Sequence, residues 1–252
     1  MTIQYCSDLH LEFNQNKEFL KRNPLQVKGD ILVLAGDIVP FSIMDKHKDF
    51  FSFAADNFQY TYWLPGNHEY YHSDISARSG ILHEKIKNNV FLVNNTVAEH
   101  ENVQLIFSTL WSKINPNDEW HIERSMNDFN LIRYKSYRLS SPVYNQLHLA
   151  CLAFLQQAIN TESAQKKVVV THHVPTFMHY PPQYKGDILN QAFAVELYDI
   201  IESSAISYWL YGHHHTNTPA FKIGNTLLLT NQLGYVHCNE HTTFMNNKNI
   251  II

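Results

Sequence analysis

Short apolar segments separated by polar turns recur along this chain. Five of them are followed within two residues by Asp, Asn or His, and they read TIQYC, DILVLA, TYWLP, VVV and YWLY. Their β-branched and aromatic content is typical of buried strands. The segments VFLVNN, QLIFSTLW and TLLLTNQLG predict further strands, and Gly224-Asn225 predicts a hairpin turn before the last of these.

Helical patterns lie between these strands. We predict helices over residues 44–57 and 75–87, from Ser140 to Asn160, and over Asn190–Ser203. The third has the clearest signals, since a serine cap and a proline in the first turn precede apolar residues on one face. Strands that alternate with helices predict a mixed α/β fold built in layers.

The composition fits an ordered protein of a reducing compartment. Of the 252 residues 44% are hydrophobic and 17% charged, which argues against disorder. No linker or repeat is evident, so we expect residues 1–252 to form one domain. Three scattered cysteines form no CxxC pair, and neither a membrane span nor a signal peptide is recognisable. We therefore expect a cytoplasmic protein with no membrane association, in which Cys151 is buried.

Histidine is abundant, with 16 residues, and several histidines follow the apolar segments. Open α/β sheets bind ligands beyond the carboxyl ends of their strands, so polar residues at five strand ends predict one site. These residues are Asp8, His10, Asp37, Asn67, His172, His213 and His215. Their side chains offer only nitrogen and oxygen, which favours Mn, Fe or Zn over a thiolate zinc site.

The spacing within the set refines this hypothesis. Asp8 and His10, like His213 and His215, are separated by one residue, and in extended chain such side chains point to the same side. The intervening residues, Leu9 and His214, are then expected to face away. Seven ligands exceed what one ion usually takes, so we predict two divalent ions, an arrangement suited to in-line displacement at phosphorus.

Five blocks of sequence resemble the motifs of the calcineurin-like metallophosphoesterase superfamily. They are DLH at 8–10, GD at 36–37, GNHE at 66–69, His172, and GHHH at 212–215, in that order. The resemblance implies a sandwich of two mixed β-sheets flanked by helices. The stretches FSTLW, MNDFNLIRY and THHVPT are more loosely similar to bacterial enzymes related to cyclic-nucleotide phosphodiesterases.

The resemblance also implies roles for these residues. Asp8, His10 and His215 would hold one metal, and Asn67, His172 and His213 the other. Asp37 would bridge both ions, a hydroxide between them would attack phosphorus, and His68 would protonate the leaving oxygen. A carboxylate neighbour could assist this acid, and Glu69 is a candidate for a hydrogen bond to His68.

Residues 109–137 mix aromatic with polar side chains, and we expect this segment to form a rim over the metals. Trp111 is a candidate for stacking on a ring of the substrate. Candidates for contact with the phosphate ester are Asn127, Asp128 and Arg133. His173 and His214 adjoin predicted ligands, and for both a structural role is favoured over one in supporting ligands or facing substrate.

Several functions remain open at this point. The expected partner is a small phosphoester, nucleotides included. The sequence does not separate a phosphodiesterase from an enzyme with phosphomonoesterase or protein phosphatase-like activity. A net charge of −4 without a block of Lys and Arg argues against general nucleic-acid binding. A non-catalytic scaffold of the same fold is disfavoured because the motif set is complete. The oligomeric state is not predicted.

Overall fold

Two six-stranded mixed sheets form the central layers of the computed structural model, which describes residues 1–163 and 165–252. The strands are β1 (Thr2–Cys6), β2 (Ile31–Ala35), β3 (Tyr60–Leu64), β4 (Leu82–Lys87), β5 (Val90–Asn94), β6 (Thr96–His100), β7 (Val103–Ser108), β8 (Arg133–Tyr134), β9 (Tyr137–Arg138), β10 (Lys166–Thr171), β11 (Ile206–Tyr211), β12 (Phe221–Ile223), β13 (Thr226–Thr230) and β14 (Asn249–Ile251). The α-helices are α1 (Asn14–Arg22), α2 (Lys48–Asn57), α3 (Glu119–Ser125), α4 (Asp128–Leu131), α5 (Ser141–Asn160) and α6 (Tyr198–Glu202). Short 3₁₀ turns cover Phe41–His47, His68–Tyr70, Ile75–Ala77, Pro182–Tyr184, Ile188–Ala192, Val236–Cys238 and Glu240–Thr243.

Each sheet has a parallel centre and antiparallel edges. The first has the order β14-β1-β2-β3-β5-β4, and the second β12-β13-β11-β10-β7-β6. In both sheets the outermost strands, β14, β4, β12 and β6, run antiparallel to their neighbours. Central parallel strands are covered on both faces, which explains why ILVLA and VVV are apolar throughout.

Successive side chains along one strand point in turn toward the inter-sheet core and toward the helical layer. In β2, Val33 packs among residues of both sheets, whereas Leu32 and Leu34 pack with Phe51 of α2. This is the period of two that a strand imposes on its side chains. On the other side of the sandwich, Trp209 of β11 belongs to an apolar cluster that includes residues of α5 and α6. The expected sandwich flanked by helices is therefore confirmed.

Two of the predicted helices are wrong over most of their length. Residues 82–87 form the edge strand β4 rather than a helix, because Gly80 with φ 77° interrupts the segment and β5 offers an antiparallel partner. In the predicted helix at 190–203, only α6 is α-helical. The start of the segment lies in the 3₁₀ turn that ends at Ala192, and Ala194 forms a bridge to Val174.

The other helix and turn predictions fare better. Residues 44–57 divide into a 3₁₀ turn that ends at His47 and the helix α2. The long helix is confirmed as α5, with Cys151 buried in it. Gly224 takes a φ of 54° in the hairpin between β12 and β13, as predicted. Among the described residues, no helix combines the length and the apolar character needed to cross a membrane.

One buried asparagine ties α1 to the loop after β1 of the first sheet and to the loop after β13 of the second. The amide of Asn16 donates to the carbonyl of Leu9 (3.0 Å) and to that of Gly234 (2.8 Å), and its oxygen accepts the N–H of Val236 (3.2 Å). Leu9 lies between Asp8 and His10, so this contact fixes the turn that carries two of the predicted ligands.

We expect Asn16→Ala to lower the free energy of unfolding by about 1–3 kcal/mol, because it leaves buried polar groups without partners. Asn14→Ala, at an exposed position of the same helix, should change it by less than about 0.5 kcal/mol. Urea unfolding of both variants measures the difference. Equal effects of the two substitutions would contradict the role given to Asn16.

Candidate metal centre

The carboxyl ends of strands from both sheets meet at one edge of the sandwich. The turn after β1 is bonded to the turn after β2, since the N–H groups of Asp8 and His10 donate to the carbonyls of Gly36 and Asp37, both at 2.9 Å. In the second sheet, the N–H of Gly212 donates to the carbonyl of His172 at 3.0 Å. These backbone bonds bring the predicted ligands into one place.

The predicted ligands form two groups that share Asp37. One contains Asp8, His10, Asp37 and His215, and the other contains Asp37, His172 and His213, with the donor atoms of each group within 4.8 Å of one another. In the first group His10 Nε2 lies 2.9 Å from His215 Nε2. In the second, His172 Nε2 lies 3.1 Å from His213 Nδ1 and 3.2 Å from Asn67 Oδ1. All seven predicted ligands are thus brought together.

The hydrogen bonds around the histidines show that this donor set fits divalent cations. The outward nitrogens of His10 and His215 contact the carboxylates of Glu12 (3.1 Å) and Glu240 (2.7 Å). Those of His172 and His213 contact backbone carbonyls at 2.9 and 3.3 Å. An acceptor at one ring nitrogen holds a proton there and leaves the other nitrogen free to ligate. Buried imidazole nitrogens and carboxylate oxygens therefore converge on the centre.

The carboxylates of the site act on the protonation of its histidines. Burial opposes a charge on His172 and His215, but the carboxylates of Asp37 and Asp8 outweigh it and raise the pKa of His172 to about 9 and of His215 to about 10. Burial lowers the pKa of His213 well below its usual value, and the nearby His173 adds to this. Metal binding is therefore expected to release protons.

The predicted ligands are oriented by left-handed backbone turns and not by extended chain. Five residues of the set have positive φ between 47° and 81°: Asp8, His10, Asp37, His213 and His215. This conformation is costly for residues other than glycine and is concentrated at functional sites. The ligand pairs therefore do not lie in extended chain, contrary to the prediction from their spacing, and His213 and His215 belong to different groups.

The residues between the ligand pairs lie outside both groups. Leu9 is fully buried in an apolar cluster and so faces away from the donor groups, as predicted. The ring of His214 packs near Tyr180 and Tyr211, and its Nδ1 accepts a hydrogen bond from Gln232 Nε2 at 2.8 Å.

Glycine permits the close approach of the backbone to these ligands. A Cβ atom on Gly212 would lie 2.6 Å from Asp8 Oδ2, and one on Gly66 would collide with Asp37 and His172. The glycines of the GN and GH motifs therefore leave space for the donor atoms themselves.

Glu69 does not have the predicted contact, because its carboxylate is turned toward backbone N–H groups instead of His68. It accepts from Asp37 (2.9 Å), Ile38 (2.7 Å) and Gly66 (2.6 Å), which joins the GD turn to the GNHE turn. Burial and the charge of Asp37 raise the pKa of Glu69 to about 7. The role of Glu69 is to hold the turn that presents Asp37.

The carboxylate beside His68 is that of Glu12, which the sequence analysis missed. Glu12 Oε1 lies 3.0 Å from His68 Nδ1, while His68 Nε2 lies 3.3 Å from the hydroxyl of Tyr235. Burial opposes ionisation of Glu12, but hydrogen bonds from His10 and His68 lower its pKa to about 2. His10, Glu12 and His68 also form a third group of close donor atoms, in which these hydrogen bonds already join the members.

Asp128 contacts the predicted ligand Asn67. It is completely buried, and its Oδ1 accepts hydrogen bonds from Asn67 Nδ2 (2.9 Å) and from the hydroxyl of Tyr71 (2.7 Å). Its contact fixes the amide of Asn67 so that the oxygen faces His172. The predicted contact of Asp128 with the phosphate ester is therefore wrong.

Two further rim predictions are corrected and one is kept. Trp111 is only 2% exposed and packs against Tyr144 and His173, so it cannot stack on a substrate. Arg133 is exposed in the small β8–β9 ribbon and does not line the site cavity. Asn127 does line that cavity.

His173 is buried beside the predicted ligand His213. Its ring lies 4.1 Å from that of His213, and its Nε2 is 3.2 Å from the hydroxyl of Tyr144. This position agrees with the favoured structural role of His173. The alternative contact with substrate is wrong, because the side chain is fully buried and does not line the site cavity.

A cavity of about 340 Å³ opens over the two groups. Its floor includes Asp37, Asn67, His68 and His213. Its walls come from Ser125–Asn127, from residues 180–193, and from Tyr235 and Glu240. Only the middle of the predicted rim segment therefore reaches the site, and the segment after β10 supplies most of the remainder.

Residues 1–217 match the family model described as calcineurin-like phosphoesterase. A protein of Acanthamoeba polyphaga mimivirus, titled uncharacterized protein L509, is 32% identical over 265 residues, covering 93% of this chain and 91% of its own length. Two solved structures share the fold at low identity. The phosphopantetheinyl hydrolase of Mycobacterium tuberculosis has a TM-score of 0.72 and 14% identity, covering 99% of this chain and 95% of its own. A dimetal phosphatase of Danio rerio has a TM-score of 0.51 and 13% identity, covering 92% and 87%.

We expect the purified chain to bind two divalent ions, measured by elemental analysis and by Mn²⁺ titration calorimetry. Asp37→Ala should weaken both sites because Asp37 belongs to both groups. His214→Ala is the matched control, since His214 is buried among the ligands but outside both groups, and it should retain two ions. Saturation at one ion per chain, or equal loss in the two variants, would contradict the two-site arrangement.

Proposed function

This chain belongs to the calcineurin-like phosphoesterase family, and we propose that it hydrolyses a small phosphodiester with the help of two divalent ions. The observation that carries the proposal is the pair of buried donor groups sharing Asp37 on the floor of a cavity. The stability of the fold alone does not require seven such side chains at one point.

The two groups divide the ions between them. Asp8, His10 and His215 would hold one, Asn67, His172 and His213 the other, and Asp37 both. Four histidines with carboxylate and amide oxygens suit Mn, Fe or Zn. Such ions, when bound, would neutralise charge on the phosphoryl oxygens and lower the pKa of water enough for attack at neutral pH.

His68 is the proposed general acid. Its backbone N–H donates to Asp37 Oδ1 at 2.9 Å, which places the residue beside both groups, and its side chain lines the cavity. Burial opposes its protonation, but Asp37 and Glu12 outweigh this and raise its pKa. With Nδ1 held by Glu12, Nε2 is the atom that would deliver a proton to the leaving oxygen.

The walls of the cavity favour a diester over a monoester. A diester carries one negative charge and two organic arms, whereas a monoester can carry two charges and has one arm. Aromatic rings of Tyr180, Tyr184 and Phe193 offer apolar surface for an arm, and the carboxylates of Asp187 and Glu240 disfavour a second negative charge.

The function is tested by comparing bis(4-nitrophenyl) phosphate with 4-nitrophenyl phosphate, using Mn²⁺-, Fe²⁺- and Zn²⁺-loaded protein. We expect the diester to have the higher kcat/KM by about tenfold or more, a difference of about 1.4 kcal/mol in transition-state binding. The reverse order would indicate a phosphomonoesterase. Absence of hydrolysis of either ester by protein with two bound ions would favour a non-catalytic scaffold.

The acid is tested by His68→Ala. This variant should retain both ions and lose about 10²–10⁴-fold in activity on alkyl or nucleotide esters, whose leaving oxygen needs a proton. Nitrophenyl esters need little protonation and should lose much less. Equal losses on both kinds of ester, with the metal content unchanged, would mean that His68 orients the phosphate instead, and loss of metal would make it a ligand.

A further inference from the structure

One carboxylate oxygen lies between a predicted metal ligand and the proposed general acid. Glu12 Oε1 is 3.1 Å from His10 Nδ1 and 3.0 Å from His68 Nδ1. The two imidazole rings stand edge to face with centroids 4.5 Å apart. The Glu12 side chain is only 15% exposed, so water competes little for these contacts.

An ionised carboxylate can only accept hydrogen bonds, so both histidines must carry a proton on Nδ1. This leaves Nε2 of each ring free, to bind a metal in His10 and to transfer a proton in His68. In His10 that atom faces His215 Nε2 and lies 3.9 Å from Asp37 Oδ2, within the first donor group. In His68 it faces the hydroxyl of Tyr235 at the wall of the cavity.

The other ligand with a carboxylate partner provides a comparison. His215 Nδ1 lies 2.7 Å from Glu240 Oε2, and the same oxygen accepts the N–H of Tyr235 at 2.6 Å. Glu240 thus orients one ligand and a loop, whereas Glu12 orients a ligand and the acid. The two glutamates share one task and differ in the second.

We propose that Glu12 is a positioning residue that fixes, through a single oxygen, both the metal ligand His10 and the general acid His68. The part that concerns His68 rests on the proposed function. Metal retention and proton delivery are thereby joined at one side chain, because a shift of Glu12 moves both rings.

The test compares Glu12→Ala with Glu240→Ala, and uses Glu12→Gln to preserve side-chain volume in case the alanine variant fails to fold. Both alanine variants should bind Mn²⁺ about 10–100-fold more weakly, as expected when the partner of a ligating histidine is removed.

At saturating Mn²⁺, kcat is measured on methyl 4-nitrophenyl phosphate and on methyl phenyl phosphate. Glu12→Ala should lose about tenfold or more additional activity on the phenyl ester, whereas Glu240→Ala should lose equally on both. Glu12→Gln keeps one oxygen acceptor and should fall between wild type and Glu12→Ala in both measurements.

A spectroscopic measurement separates this inference from the proposed function. In Zn²⁺-loaded protein, ¹⁵N chemical shifts of the histidine rings should show a proton on Nδ1 of both His10 and His68, and Glu12→Ala should lose this pattern at both rings. Equal losses on the two esters together with an unchanged His68 ring would overturn the shared role. If wild-type protein with two bound ions hydrolysed neither ester, the proposed function would fail, and the Mn²⁺ affinity and the ring shifts would still decide the position of Glu12.

Discussion

The carboxylate of Asp37 is the contact on which the rest of the site depends. It comes from the first sheet, accepts the N–H of His68, and lies 3.4 Å from His172 Nε2 of the second sheet. A buried charge of this kind is costly unless it is paired and hydrogen-bonded. Burial opposes its ionisation, but His172 and His68 hold its pKa well below the usual range. The packing of the two sheets at this edge and the assembly of the donor groups therefore depend on the same contact of Asp37.

Much of this arrangement was predictable because its determinants are local. Parallel strands buried on both faces leave continuous apolar segments, and the turns that follow them carry glycine before a polar residue. The failures arose where a distant partner decided the outcome. Residues 82–87 have a pattern compatible with a helix, but β5 supplies a sheet edge. Trp111 has the chemistry of a stacking residue, but Tyr144 and His173 enclose it.

Most of the supporting residues could not be found from the sequence, for a related reason. Glu12, Glu240 and Asp128 are carboxylates of a kind that is usually exposed. Their contacts with His68, His215 and Asn67 join residues that are 25 to 61 positions apart in the chain. Only the spacing of Glu12, two residues after His10, was available as a signal. The motif residues are recognisable because the ions constrain their type, whereas a supporting carboxylate can be supplied from many positions in the chain.

Each donor group draws residues from both sheets. Asp8 and His10 follow a strand of the first sheet and are completed by His215 of the second, while His172 and His213 of the second are completed by Asp37 and Asn67 of the first. Any sliding of one layer over the other therefore changes the distances in both groups at once. Packing residues between the layers, such as Val33 and Leu105, thus set the spacing between the donor atoms of the two sheets. The inter-sheet core therefore sets the geometry of the candidate metal centre, although none of its side chains lines the cavity.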